Sequence, residues 1–227
     1  MSYVIAAPAQ PSVEVKGTAD RFPVRRIFCV GRNYAAHARE MGNDDREPPF
    51  FFTKPADAVV PNNASVPYPP RTANFHHEVE LVVALAAGGA NVSADKANSL
   101  IYGYAVGIDL TRRDLQSDAR DHGRPWDVSK GFDRSAPMGA ITPIRTSGII
   151  ERARIWLNVN GKPRQDADVS EMTWKVPEII AELSTFFELA AGDLIFTGTP
   201  AGVGPLVRGD GVEAGIAGLE NLTTRIT

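Results

Sequence analysis

The sequence predicts a β-rich α+β fold with a few peripheral helices. Short apolar runs rich in β-branched and aromatic residues recur along the chain, at 24–30, 79–85, 102–108 and 194–197. The convincing helical stripe, by contrast, is confined to one stretch, 177–189. No strand–helix–strand alternation links the apolar runs, which argues against a Rossmann or TIM architecture. At 227 residues, with 43% hydrophobic and 22% charged residues, the chain can build one sizeable core.

Taken in order, residues 1–22 read as an N-terminal extension in which 3–6 and 13–15 form a hairpin across Pro8 and Pro11. Residues 23–227 then form the main domain. Its first strand, 24–30, breaks at Gly31-Arg32-Asn33, and 34–41 has helical composition ending at Gly42. The polar, proline-containing stretch 43–49 separates that helix from a short strand, 50–55, which carries Lys54 near its end. Four prolines between 61 and 74 mark a connector without regular structure. Ser93 is placed to cap a helix over 93–100, and Thr111 to cap 112–122, with Asp114 in capping-box position. Residues 125–138 read as irregular. A hairpin turns at Asn160-Gly161. Pro177 opens the 177–189 helix, whose buried stripe is Ile179, Ile180, Leu183, Phe186 and Phe187. The buried strand at 194–197 runs into a glycine- and proline-rich loop, 198–205.

The chemistry concentrates at 74–85, Asn-Phe-His-His-Glu-Val-Glu-Leu-Val-Val-Ala-Leu. Side chains alternate along a strand, so Glu78 and Glu80 share a face while Val79 and Leu81 take the other. Two carboxylates at a dry sheet edge repel one another and resist desolvation, and a cation removes both penalties. Asp109, near the end of another apolar run, supplies a third acid. An all-oxygen set of this kind suits Mg²⁺ or Mn²⁺ rather than Zn²⁺ or copper. An isolated Glu-x-Glu more often lies on a solvated face. Here the flanking histidines and the matching Asp109 run favour metal.

Other function classes find little support. The net charge of −3 offers no basic face for nucleic acid. No apolar run approaches the length of a membrane span, and the first residues lack a signal-peptide pattern. The single cysteine, Cys29, excludes an internal disulfide and sits in an apolar run, as a small buried hydrophobe does. These features point to the cytoplasm. The 198–205 loop lacks the Lys-Ser/Thr ending of a nucleotide cradle and reads as a substrate-lining turn, with Thr199 and backbone N–H groups such as that of Gly198 facing an anion. His37 and Glu40, at i and i+3 of the 34–41 helix, lie side by side, as a general base and its orienting carboxylate do, although on spacing alone a solvated surface pair is the default.

Five ordered stretches together resemble the fumarylacetoacetate hydrolase family, acylpyruvate hydrolase branch. They are Cys-Val-Gly-Arg-Asn-Tyr-Ala-Ala-His-Ala-Arg-Glu-Met (29–41), His-His-Glu-Val-Glu-Leu (76–81), Gly-Tyr-Ala-Val-Gly-Ile-Asp-Leu-Thr-Arg-Arg-Asp-Leu-Gln (103–116), Lys-Gly-Phe-Asp (130–133) and Thr-Gly-Thr-Pro-Ala-Gly-Val-Gly-Pro (197–205). The resemblance implies a mixed β-roll or β-sandwich, a homodimer, and Mg²⁺ or Mn²⁺ on Glu78, Glu80 and Asp109. It makes His37 and Glu40 a water-activating pair on a closing lid. Lys130 adds positive charge, and Arg113, Gln116, Thr199 and Gly198 hold the pyruvyl end of a 2,4-diketo acid. The implied reaction is hydrolysis of the C3–C4 bond, with fumarylpyruvate as the favoured substrate. Rival readings are an oxaloacetate decarboxylase or hydroxymuconate-type isomerase, which need no activated water, and a non-catalytic metal-stabilised binding protein. For a distal substrate carboxylate the sequence offers Arg32, Lys54, Arg71 and Arg124, with Arg71 or Arg124 preferred.

Overall fold

The structure, a computed structural model, describes residues 3–34 and 47–227. Its central sheet has six strands in the order Thr142–Pro143, Ile101–Ile108, Val79–Leu85, Asp193–Phe196, Arg26–Gly31, Phe50–Lys54. Only the pairing of Asp193–Phe196 with Arg26–Gly31 is parallel. A five-stranded sheet runs Lys162–Asp168, Arg154–Val159, Gly211–Ile216, Leu222–Ile226, Ser65–Val66. A smaller antiparallel sheet places Phe75–His77 between Thr111–Arg112 and Gly204–Leu206. Among the described residues no helix is long and apolar enough to cross a membrane.

The alternation along the central strands sorts side chains into two cores. Val79, Leu81, Val83 and Leu85 join Phe28, Val30 and Ile195 on one side, packed with Ile155, Leu157 and Ile216 of the five-stranded sheet and Ile179, Ile180 and Leu183 of the helix Val176–Phe186. Val82 and Ala84 join Cys29, Leu194 and Phe196 on the other. Both faces of Val79–Leu85 are therefore buried, which is why the run is almost unbroken in apolar residues. The second core is closed by Val13, Val15 and Phe22. The hairpin expected across Pro8 and Pro11 forms later, between Ser12–Glu14 and Arg21–Pro23. That register lets Val13 and Phe22 face the sheet together, an apolar gain the earlier turn does not offer.

Other local expectations shift for physical reasons. Asn160 and Gly161 have φ of 50° and 71°, the left-handed pair that a two-residue hairpin turn requires. Thr111 is not a helix cap; it pairs with His76 in the small sheet, and the helix Arg113–Asp121 begins without a side-chain cap. The Arg113 N–H is held instead by the Asn74 carbonyl at 2.8 Å. Ser93 stands at the N-cap of Ala94–Ala97 but makes no capping hydrogen bond. The helix over 177–189 stops at Phe186, with Phe187 already extended, so these two rings leave the buried stripe and are 64% and 39% exposed. The stretch read as irregular contains one helical turn, Asp127–Lys130. The helix expected over 34–41 lies outside the described residues beyond Tyr34.

Candidate functional site

The ladder between Val79–Leu85 and Ile101–Ile108 ends where Val79 pairs with Ile108. Beyond it the chains stay together: the Asp109 N–H donates to the Glu78 carbonyl at 2.8 Å, and Thr111 pairs with His76. This junction between sheets brings Glu78, Glu80 and Asp109 together, each offering a carboxylate oxygen within 4.8 Å of the others. All three are buried and line one cavity of about 280 Å³. Arg113, Gln116, Lys130 and Thr199 line the same cavity. His37 and Glu40 lie outside the described residues.

Lys130, buried at the end of the turn Asp127–Lys130, donates to Glu78 Oε2 at 2.7 Å, Asp109 Oδ2 at 2.6 Å and Thr111 Oγ1 at 2.7 Å. Lys54 Nζ lies 2.8 Å from Asp109 Oδ1, and it donates to the carbonyls of Leu110 and Lys130. Arg113 reaches Glu78 Oε1 and Gln116 Oε1. Glu80 accepts the Gly198 N–H at 2.8 Å, so this amide is used within the protein rather than for an anion. Gly198 has φ +97°, and a Cβ there would lie 2.7 Å from that of Asn33.

The protonation pattern follows from these contacts. Burial alone would push the Glu78 carboxyl up, but Lys130 and Arg113 outweigh it and hold it well below the usual carboxylate range. Glu80 goes the other way, raised by burial and by the nearby charges of Asp109 and Glu78. Burial opposes the charge on Lys130, yet Asp109 and Glu78 raise its pKa and keep it an ammonium. His76 donates through Nε2 to Asn74 Oδ1 at 2.7 Å and is neutral, its pKa lowered to about 4 by burial and by Arg113. The Cys29 thiol is pushed up by burial, which rules it out as a nucleophile at neutral pH.

The donor set suits a hard divalent cation. The ligands are oxygen only, and the buried Asp109 Oδ1 has no well-directed hydrogen bond despite its nearby ammonium.

Sequence reasoning overlooked several residues here. Lys54, offered by the sequence for a distal carboxylate, and Thr111, expected as a helix cap, both sit on the acidic cluster instead. Trp126 and Arg120 line the cavity, and Arg120 shares one helix face with Arg113, Gln116 and Ser117. That i, i+3, i+4, i+7 spacing was the available signal. Of the cations weighed for a distal carboxylate, Arg32 lines the cavity, whereas Lys54 is committed to Asp109. Arg71 lies outside that lining, and Arg124 borders a second cavity and pairs with Asp118 at 3.5 Å.

A family model described as fumarylacetoacetate (FAA) hydrolase, C-terminal, matches residues 26–227. Fumarylpyruvate hydrolase from a Ralstonia species is 46% identical over 180 residues, covering 79% of this chain and 93% of that protein. Human mitochondrial oxaloacetate tautomerase is 39% identical over 89% of this chain and 91% of its own length. Among solved structures, fumarylpyruvate hydrolase from Pseudomonas aeruginosa, in complex with Mn²⁺ and pyruvate, superposes with a TM-score of 0.97 at 49% identity, covering 100% of this chain and 99% of that one.

Proposed function

Because the chain belongs to the fumarylacetoacetate hydrolase family, we propose that it hydrolyses the C3–C4 bond of an acylpyruvate, foremost fumarylpyruvate, to give fumarate and pyruvate. The observation that carries this reading is the charge balance of the buried cluster. Glu78 and Asp109 pair with the cations Lys54, Lys130 and Arg113, and with Glu80 as the third acid the formal charges cancel once all three carboxylates are ionised. A divalent cation added to that cluster leaves an excess of two positive charges in a largely water-excluded site. The pyruvyl carboxylate of a small organic anion offsets part of that excess, and a second, distal carboxylate meets the further cavity cations Arg32 and Arg120.

Glu78, Glu80 and Asp109 would hold Mg²⁺ or Mn²⁺; when bound, the ion supplies a Lewis acid for the 2-oxo and carboxylate oxygens of the pyruvyl end. Lys130 meets the negative charge that develops on the pyruvyl fragment as the C3–C4 bond breaks. Gln116 spends its carbonyl on Arg113, which leaves its amide N–H groups for substrate oxygens. The family resemblance of the 29–41 stretch supports His37, with Glu40 as its orienting carboxylate, as the group that takes a proton from the water that attacks C4. The rim cations Arg32 and Arg120 support a distal carboxylate better than Arg71 or Arg124. The family resemblance further supports a homodimer, which light scattering would test, and a cytoplasmic location.

Loss of absorbance of fumarylpyruvate, acetylpyruvate and oxaloacetate with the Mn²⁺-loaded protein tests the reading. We expect kcat/KM for fumarylpyruvate at least about tenfold above acetylpyruvate, roughly 1.4 kcal/mol. Equal values would leave a general acylpyruvase. Fast oxaloacetate enol–keto exchange without C–C cleavage would favour a second reading, an oxaloacetate tautomerase, which the tautomerase relatives support.

A further inference from the structure

We propose that Gln165 is a positioning residue that aims the Thr199 hydroxyl proton into the cavity, making Thr199 a hydrogen-bond donor to the anionic end of the substrate. The identity of that anion rests on the acylpyruvate reading; the direction of the proton does not.

Gln165 is the buried residue of an otherwise largely exposed edge strand, Lys162–Asp168, and it follows a register shift in the pairing with Arg154–Val159. A buried amide costs stability unless its hydrogen bonds are made. Here two partners fix its orientation. The Val79 N–H can only donate and lies 3.1 Å from Oε1, while the Pro200 carbonyl can only accept and lies 2.9 Å from Nε2. With the amide so fixed, Nε2 donates its second proton to Thr199 Oγ1 at 2.8 Å. His77 Nδ1, 3.0 Å from Oε1, must be the protonated ring nitrogen. Thr199 therefore uses an oxygen lone pair on Gln165 and keeps its own proton. Among the described residues no group accepts that proton, and Thr199 lines the cavity. The loop is seated on this strand at close range: Gly202 has φ +91°, and a Cβ there would lie 2.1 Å from the Arg164 carbonyl oxygen. Gln165 thus reads as the link between the edge strand and the cavity wall.

A glutamate at 165 separates the roles. Its carboxylate still accepts from Val79 and His77, but it also accepts the Thr199 proton and turns it away from the cavity. Competitive inhibition by pyruvate should be measured on the Mg²⁺-loaded protein for Thr199→Val, Gln165→Glu and the double variant, alongside kcat and KM for fumarylpyruvate. We expect Thr199→Val and Gln165→Glu each to weaken pyruvate roughly tenfold, and the double variant to be no weaker than Thr199→Val. Additive losses would overturn the proposal, since charge repulsion or loop displacement by the glutamate would persist without the hydroxyl. An unaffected inhibition constant in either single variant would also overturn it. If Gln165→Glu does not fold, the wild-type protein decides: the ¹⁵N-labelled Gln165 side-chain amide should shift on adding pyruvate, and an unmoved resonance overturns the proposal. A wild-type protein that binds pyruvate but leaves fumarylpyruvate intact would refute the hydrolase reading alone.

Discussion

Among the described residues, no cationic side chain hydrogen-bonds to Glu80, whereas Glu78 takes both Lys130 and Arg113. The two acids therefore act oppositely on stability in metal-free protein. A carboxyl whose folded pKa is raised contributes stability below the ordinary carboxylate range and loses it as pH rises through the folded value. One whose folded pKa is depressed contributes above that range and loses it as pH falls. Glu80→Gln is thus expected to raise the metal-free melting temperature at neutral pH by a few degrees, about 1 kcal/mol corresponding to roughly 2–4 °C at this size. Glu78→Gln is expected to lower it. Calorimetry at pH 7 in EDTA checks both, and shifts of the same sign would show the charge assignment to be wrong. His37→Ala is expected to lower kcat by roughly 10²–10⁴ while the pyruvate inhibition constant changes little. A parallel loss of pyruvate binding would place His37 on the ligand rather than on the water. At this scale the acids were legible, since strand alternation alone puts Glu78 and Glu80 on one face. Gln165 was not, because its partners Val79 and Thr199 lie 86 and 34 residues away in the chain.

The helix Arg113–Asp121 works as one wall of the cavity. Arg113 at its start binds Glu78 and Gln116, and Arg120 lies two turns further along the same face. Seven residues of helix rise about 10 Å, a span comparable with an extended seven-carbon dicarboxylate anchored at the Arg113 end. The Arg120 guanidinium pairs at 2.9 Å with Asp121 beside it, an exposed ion pair that solvent screens and a substrate carboxylate can replace. Arg120→Gln is expected to lower the ratio of kcat/KM for fumarylpyruvate over acetylpyruvate about tenfold. Steady-state kinetics on both substrates checks this, and an unchanged ratio would leave Arg32 as the cavity-lining alternative. The strands and the Asn160-Gly161 turn were readable from local pattern because both faces, or both φ angles, demand particular residue types. The helix start was not. Thr111 has cap chemistry, but its backbone is recruited by His76 across the small sheet, a competition that local sequence does not record.

The whole molecule is coupled to the cluster, because Glu80 belongs to the sheet's Val79–Leu85 strand and Asp109 directly follows Ile101–Ile108. The order of the six strands was not legible. It pairs Asp193–Phe196 with Arg26–Gly31 across more than 160 residues, with nothing in either run to name its neighbour. Asp193–Phe196 also pairs with Val79–Leu85, so that the strand carrying Glu80 is held between it and Ile101–Ile108, and the sheet order fixes where the acids stand. A cation joining Glu78, Glu80 and Asp109 ties the small sheet to the central one, and the unfolded chain offers no such cluster. Binding to the folded state alone stabilises by about 2.7 kcal/mol at a hundredfold excess over Kd, or roughly 5–11 °C in melting temperature. Titrating Mn²⁺ into EDTA-stripped protein is therefore expected to raise the melting temperature continuously with the logarithm of concentration. Ca²⁺, a larger ion, is expected to do so at higher concentration if the carboxylates hold their spacing. Glu80→Gln should flatten the Mn²⁺ response, although its metal-free form starts from the higher temperature. A full Mn²⁺ response in that variant would remove Glu80 from the ligand set and leave the cation on the Glu78–Asp109 side, in competition with Lys130.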